Sequence, residues 1–274
     1  MTSPIDMTED EFLQKYDISQ YDRPSLTVDI CAFSLLRNKP DADIRTVNVY
    51  GLQVLLIQRA SHPFRNHWAL PGGFCVPTED VKDTAKRELL EETGLSHVSL
   101  KLINVYGKPN RDPRGWIISN TYMSLVEEEQ CNLRADTDAW DAKWFTIHQM
   151  DTSMMKGRTV HTVRLTSSDG ETLEFQVSEE DGTFECMDQV LAFDHSKILM
   201  ESLAYLKHAV NNSITPLFDL LPEEFTLGEL QAAHSIITQR HEDNFRRKVS
   251  PYVVETGKMS SVKGFRPAKL FARK

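Results

Sequence analysis

A chain of 274 residues, 40% hydrophobic and 26% charged with a net charge of −9, has ample apolar material for a packed core and enough length for two domains. It contains no run of roughly 18 apolar residues, and its start, MTSPIDMTEDEF, is acidic without an apolar segment, so neither a helical membrane span nor a secretory leader is expected and the cytoplasm is the expected compartment. The four cysteines, Cys31, Cys75, Cys131 and Cys186, are far apart with no Cys-x-x-Cys pair, which argues against a disulfide framework or a zinc site.

Residues 1–25 read as an acidic arm with a short helix near Glu9 to Tyr16. Leu26 to Leu36 (LTVDICAFSLL) and Leu52 to Gln58 (LQVLLIQ) are strands, divided by a polar loop holding Asn38, Pro40 and Asp41 to Asp43. Trp68 to Phe74 then leads through Pro71-Gly72-Gly73, a turn whose glycines let backbone come close to a bound metal or phosphate. A helix follows, with Thr78 suited to cap it, Glu79 and Asp80 to its first turn and Gly94 to the position past its end. On that helix Glu88, Glu91 and Glu92 stand at i, i+3 and i+4 and share one face. Three like charges repel unless a cation sits among them, and hard oxygen donors favour Mg2+ or Mn2+. The bland reading is a solvated face neutralised by Lys82, Lys86 and Arg87.

From Gly73 to Leu95 the chain reads GFCVPTEDVKDTAKRELLEETGL, with Gly73, Glu79, Arg87-Glu88, Leu89, Glu91-Glu92, Gly94 and Leu95 in register. This spacing, Gly-x5-Glu-x7-Arg-Glu-U-x-Glu-Glu-x-Gly-U with U apolar, resembles the Nudix box at every specified position. The resemblance implies an α+β fold with a mixed β-sheet between helices, and metal ions held by Glu88, Glu91, Glu92 and the Gly72 carbonyl. It also implies an orienting pair, Glu79 and Arg87, and hydrolysis of the pyrophosphate in a nucleoside diphosphate derivative. The water would be activated by one of these glutamates or by a carboxylate on a later loop.

Beyond the box, Val98 to Val105 and Trp116 to Val126 are strands separated by the turn-rich GKPNRDPRG. Arg111, Asp112, Arg114 and Trp116 stand where family members place substrate-recognition residues. Arginine offers paired donors to phosphate; the tryptophan either stacks on a base or packs in the core. Arg59, at the end of the second strand, faces a phosphate or a surface ion pair. Asp136, Asp138 and Asp141 are three candidates for the late carboxylate, with no geometry to choose among them. Asp141 to Phe145 closes the minimal fold, and Leu191 to Val210 has helical spacing that suits packing on the sheet. Residues 150–190 lie outside that fold; Thr159 to Leu165 and Thr172 to Val177 flank Asp169-Gly170, a hairpin signal, placed over the site or as surface decoration. His195, His234 and His241 are scattered, and none reads as a ligand.

The Nudix-like domain with its insertion therefore spans 26–210, and a second domain spans 211–274. Charge is divided very unevenly along the chain: from Asn244 to Lys274 there are nine Lys or Arg against one acid, Glu255, while the other 243 residues carry 22 basic and 39 acidic side chains. An acidic body suits an enzyme that concentrates divalent cations; a basic tail suits a polyanion. Thr226-Leu227-Gly228-Glu229 fits a capping box, a second helix around Glu242 to Val249 holds Arg246, Arg247 and Lys248, and Val253 to Phe271 gives two strands around a basic loop. Helix, turn, basic helix and basic hairpin is the order of a winged helix, with Arg246, Arg247, Lys248, Lys258, Lys263 and Arg266 as DNA-contact candidates or, on the bland reading, a solvated face.

The segments LLPEEFTLGELQ, DNFRRKV and GFRPAKLF, together with LAFDHSKIL and RDPRGWIIS, resemble the Nudix-related transcriptional regulators of NAD metabolism. That resemblance implies a homodimer that binds operator DNA and responds to ADP-ribose or a related ligand. Many such regulators have a degraded box; this chain keeps every position, which favours an Mg2+-dependent pyrophosphatase yielding AMP and ribose 5-phosphate from ADP-ribose. A ligand-sensing DNA-binding regulator is the alternative.

Overall fold

The computed structural model describes residues 7–37, 49–96, 98–127, 139–260 and 267–274. Helix α1 (Glu9–Lys15) opens the chain, held by a capping box between Thr8 and Glu11, and buries none of its residues. Strand β1 (Ser25–Arg37) is the axis of the first domain. It pairs antiparallel with β2 (Val49–Arg59) and parallel with β5 (Ile117–Leu125), so the sheet is mixed. The order is β4 (Leu100–Tyr106), β5, β1, β2, β6 (Ala139–Met155), β7 (Arg158–Ser167), β8 (Thr172–Glu180) and β9 (Thr183–Cys186), with the short β3 (Trp68–Ala69) beside β2.

Alternation along β1 explains the layers. Val28, Ile30 and Ala32 point to one face and pack with Ala85 and Leu89 of α2 (Val81–Thr93). Cys31, Phe33 and Leu35 point to the other and pack with Ile198, Leu199 and Leu206 of α3 (His195–Asn212). The expected sheet between helices is observed. Among the described residues no helix is long and apolar enough to cross a membrane.

Helix α2 departs from expectation at its start. Asp80, not Thr78, is the N-cap, its carboxylate accepting from the Lys82 N–H. Glu79 stays outside the helix because Thr84 Oγ1 and Arg87 both donate to it. Gly94 ends the helix at φ 76°, in the left-handed conformation that glycine adopts at least cost.

The 150–190 segment is not a separate surface hairpin. Strand β6 runs through its beginning to Met155, and β7 to β9 extend the central sheet over α3. The Asp169-Gly170 turn is where it was expected, between β7 and β8. Two further tight turns, Lys156-Gly157 and Asp181-Gly182, have positive φ at both central residues, the geometry that matches strand twist in a two-residue hairpin.

The second domain folds as a winged helix. A 3-10 turn at Thr215–Leu220 precedes β10 (Phe225–Thr226) and α4 (Leu227–Thr238), whose Thr226–Glu229 capping box is formed. Then come α5 (Phe245–Val249), β11 (Val253–Met259) and β12 (Lys269–Arg273), in a small sheet ordered β10-β12-β11. Leu230, Ala233, Ile237, Phe245, Val249 and Val253 belong to the same buried cluster as Phe33 and Leu206. The two domains share one core.

Candidate functional site

One cavity of about 320 Å3 gathers most of the candidate residues. Its lining includes Glu88, Glu91 and Glu92 from α2, Gly72 and Gly73 from the preceding loop, Arg59 from β2, and Arg111 and Arg114 from the loop before β5. The loop is pinned from every side. The Val28 N–H donates to the Gly73 carbonyl, the Ile30 N–H to the Pro71 carbonyl, and the Gly72 N–H to Glu92 Oε2 at 2.8 Å. A Cβ on Gly72 would lie 2.0 Å from the Val28 carbonyl oxygen, and one on Gly73 would lie 2.3 Å from the Glu88 carboxyl carbon. Gly72 is required by close approach to backbone, whereas a side chain at position 73 would displace the Glu88 carboxylate.

The three glutamates differ in setting. Glu92 is buried, Glu88 is mostly covered, and Glu91 is half exposed. Burial pushes the Glu88 carboxyl upward despite Arg87 beside it. Arg87 reaches three acids at once: Glu79 at 2.7 Å, Glu88 at 2.8 Å and Glu91 at 3.0 Å. The anticipated Glu79–Arg87 pair therefore forms and extends into the acidic face. Among the described residues no three carboxylate, imidazole or thiol groups converge as a ready coordination shell. The donor chemistry fits a hard divalent ion all the same: carboxylates of one helix face line the cavity, and the glycine leaves free the space beside Glu88 that a Cβ would fill.

The arginines are not equivalent. Arg111 is nearly buried and donates to Asp194 at 2.6 and 3.0 Å and to Asp29 at 3.4 Å. Arg114 donates to Asp112 through Nε and Nη2 and lies over the rings of Phe74 and Phe193 at 4.8 and 5.3 Å. Arg59 donates to the Pro63 carbonyl and stacks on the other pocket aromatic, Phe193, at 4.9 Å. It forms no ion pair among the described residues, and burial followed by repulsion from Arg114 lowers its pKa. Among the described residues the surface ion pair considered for Arg59 is not formed, and of the three guanidiniums lining the pocket Arg59 is the one without a carboxylate partner there.

Two sequence candidates fall elsewhere. Trp116 is half exposed at the strand edge and lines neither the cavity nor the core. Asp141 sits on β6 paired with Lys143 at 3.3 Å, away from the cavity, while Asp136 and Asp138 lie outside the described residues.

The far wall comes from residues that sequence reasoning missed, Asp29, Phe193 and His195, while Asp194 holds the lining Arg111. Asp29 is an acid in the middle of an apolar strand, a visible signal because a buried carboxylate needs partners. The others lie within LAFDHSKIL, singled out only as a resemblance. His195 had been set aside as a ligand, and its role is structural: Nδ1 accepts from the Leu70 N–H at 2.9 Å, while Nε2 faces Asp29 at 3.5 Å. Burial would raise the Asp29 pKa, but His195, Arg111 and Ser119 outweigh it and bring it to about 2. The folded value lies below the unfolded one, so Asp29 contributes stability that is present above the ordinary carboxylate pKa near 4. That contribution is lost as the pH falls from about 4 towards 2, and Asp29→Asn should flatten this part of a melting-temperature profile.

In the winged helix, Arg246, Arg247 and Lys248 stand on α5. Lys248 is paired with Glu242 at 3.2 Å and Lys258 with Glu224 at 2.9 Å. Arg246 and Arg247 have no carboxylate partner among the described residues. Lys263 and Arg266 lie outside the described residues.

The NUDIX domain family matches residues 40–165, and the NrtR DNA-binding winged helix domain matches residues 217–272. The ADPR responsive transcriptional repressor NtrR of Acinetobacter baylyi is 30% identical over 269 residues, covering 96% of this chain and 88% of that protein. A MutT/nudix family protein from Enterococcus faecalis superposes with a TM-score of 0.71 at 29% identity, over 98% of this chain and 94% of its own. Shewanella oneidensis NrtR, solved in complex with a 27mer DNA, gives 0.62 at 26% identity over 91% and 93%.

Proposed function

The chain belongs to the family of Nudix-domain regulators that carry an NrtR winged helix, and from that premise we propose that it is a DNA-binding transcriptional regulator governed by ADP-ribose or a close relative. The observation that carries this reading is the shared core: α3 begins at the cavity wall with His195, next to the Asp194 that holds Arg111, and ends against α4 of the winged helix. A ligand that shifts the start of α3 thereby has a mechanical route to the DNA-binding surface. Arg246 and Arg247 on α5, without carboxylate partners among the described residues, would supply the charge for phosphate contacts. The protein would act in the cytoplasm as a homodimer on paired half-sites. Fluorescence anisotropy on promoter fragments tests it: ADP-ribose should shift the binding midpoint, and an unchanged midpoint at saturating ligand would remove the regulatory reading.

A specific observation also favours hydrolysis by the same cavity. Glu88, Glu91 and Glu92 are all present and all line it, together with Gly72. The cavity holds five carboxylates (with Asp29 and Asp112) against three arginines, so a pyrophosphate would be repelled without added positive charge. Bound Mg2+ or Mn2+ would supply that charge, polarise phosphorus and lower the pKa of the attacking water. Glu88, Glu91, Glu92 and the Gly72 carbonyl would hold it, and one glutamate would accept the proton of the water. Arg59 would hold the pyrophosphate and disfavour free water on that side. The products from ADP-ribose would be AMP and ribose 5-phosphate.

Arg59→Ala should weaken ADP-ribose binding by about 2 kcal/mol, or some thirtyfold, the cost of a lost charge-assisted hydrogen bond. Calorimetric titration checks this, and an unchanged affinity would place the phosphates away from β2.

A further inference from the structure

A second cavity, of about 440 Å3, shares no lining residue with the first. It is larger than the first, and its walls come from both domains. The sheet extension contributes Val163 and Phe184, α3 contributes Met200 and Leu203, and α4 contributes Ile236 and Ile237. These side chains are apolar, and polar ones, among them His161, Glu179, Lys207 and Gln239, complete the lining. Glu179 is the only carboxylate in the lining, and His161 Nε2 takes it at 2.7 Å. His161 Nδ1 is buried without a partner among the described residues. Lys207 reaches only a neutral group, Gln239 Oε1 at 3.3 Å, and has no carboxylate partner among the described residues.

We propose that this cleft is a second small-molecule site, for a compound with a compact apolar body and a single anionic group. The volume is in the range of pockets that take small ligands. The apolar walls would bury the body, and Lys207, which donates to the neutral Gln239 and has no carboxylate partner among the described residues, would take the anionic group. A nucleoside diphosphate sugar such as ADP-ribose does not suit it, because two phosphates and two sugars need many more donors than one lysine, two imidazoles and two side-chain amides. An occupant would touch the sheet extension, α3 and α4 together and so fix the winged helix against the first domain. This goes beyond the proposed regulation by ADP-ribose and does not depend on it.

The test uses 1-anilinonaphthalene-8-sulfonate, an anionic aromatic probe, on the full chain. One probe should bind per chain with enhanced fluorescence and slow amide exchange at Ile236 to Gln239. Leu203→Trp, which fills the cleft, should abolish that binding. Lys207→Glu, which leaves the apolar walls intact, should weaken it roughly tenfold. ADP-ribose should not compete, and both variants should bind ADP-ribose as the parent does. Equal probe binding in the parent and in Lys207→Glu, displacement by ADP-ribose, or no change in exchange on α4 would each overturn the proposal. If Leu203→Trp does not fold, the lysine variant and the exchange data decide alone.

Discussion

Glu92→Gln is expected to lower Mg2+-dependent release of AMP from ADP-ribose by a hundredfold or more while the chain still binds ADP-ribose. A group in the second shell of a metal already costs roughly tenfold to a hundredfold when removed, and a direct ligand carries more. The substitution is nearly isosteric, but the site is not the exposed position that the helix pattern suggests. Glu92 is buried, and it accepts from the Gly72 N–H. The glutamine carbonyl can keep that bond, so the metal loop stays in place while the negative charge is lost. Quantifying AMP beside thermal melting separates the two effects. An unaltered turnover would take Glu92 out of the metal set, and loss of folding would assign it to the loop.

Arg246→Ala combined with Arg247→Ala is expected to weaken operator binding by roughly ten- to a hundredfold and to lower the slope of log affinity against log salt by about two. Both side chains lie on a five-residue helix and lack carboxylate partners among the described residues. Lys248 and Lys258, already paired with Glu242 and Glu224, should matter less when replaced singly. The readout is anisotropy at several salt concentrations with ADP-ribose binding as a control. If the double variant binds promoter DNA as the parent does, the DNA surface is not α5.

What could be read from the sequence was what is local. Glu88, Glu91 and Glu92 come together because a helix brings i, i+3 and i+4 to one face, and β1 and β2 announce themselves by segments rich in apolar and β-branched residues. The capping box at Thr226 and the Asp169-Gly170 turn are equally short in range, and both formed. Misreadings arose where long-range partners compete. Glu79 is drawn out of the first turn of α2 by Arg87, eight positions on, so Asp80 caps instead. Asp29, Arg111, Asp194 and His195 are spread over more than 160 residues and meet only because β1 pairs parallel with β5 and α3 starts beside them. No spacing rule reaches that far. Similarly, β6 looked finished at Phe145 because its second half alternates weakly, whereas pairing with β7 carries it to Met155.

The position of Arg87 bears on how the acidic face behaves when empty. Touching Glu79, Glu88 and Glu91 together, it is an internal counter-ion. Metal loading would then be an exchange rather than an addition: the guanidinium would give up its contacts to Glu88 and Glu91 as those carboxylates turned to the ion. Net affinity is the difference between the two partners, smaller than either alone, and the metal-free chain is not left with bare repelling charges. A chelator should therefore silence the site without loosening the fold, and the site can respond to changes in free cation concentration that a tighter, prepaid cage would never register.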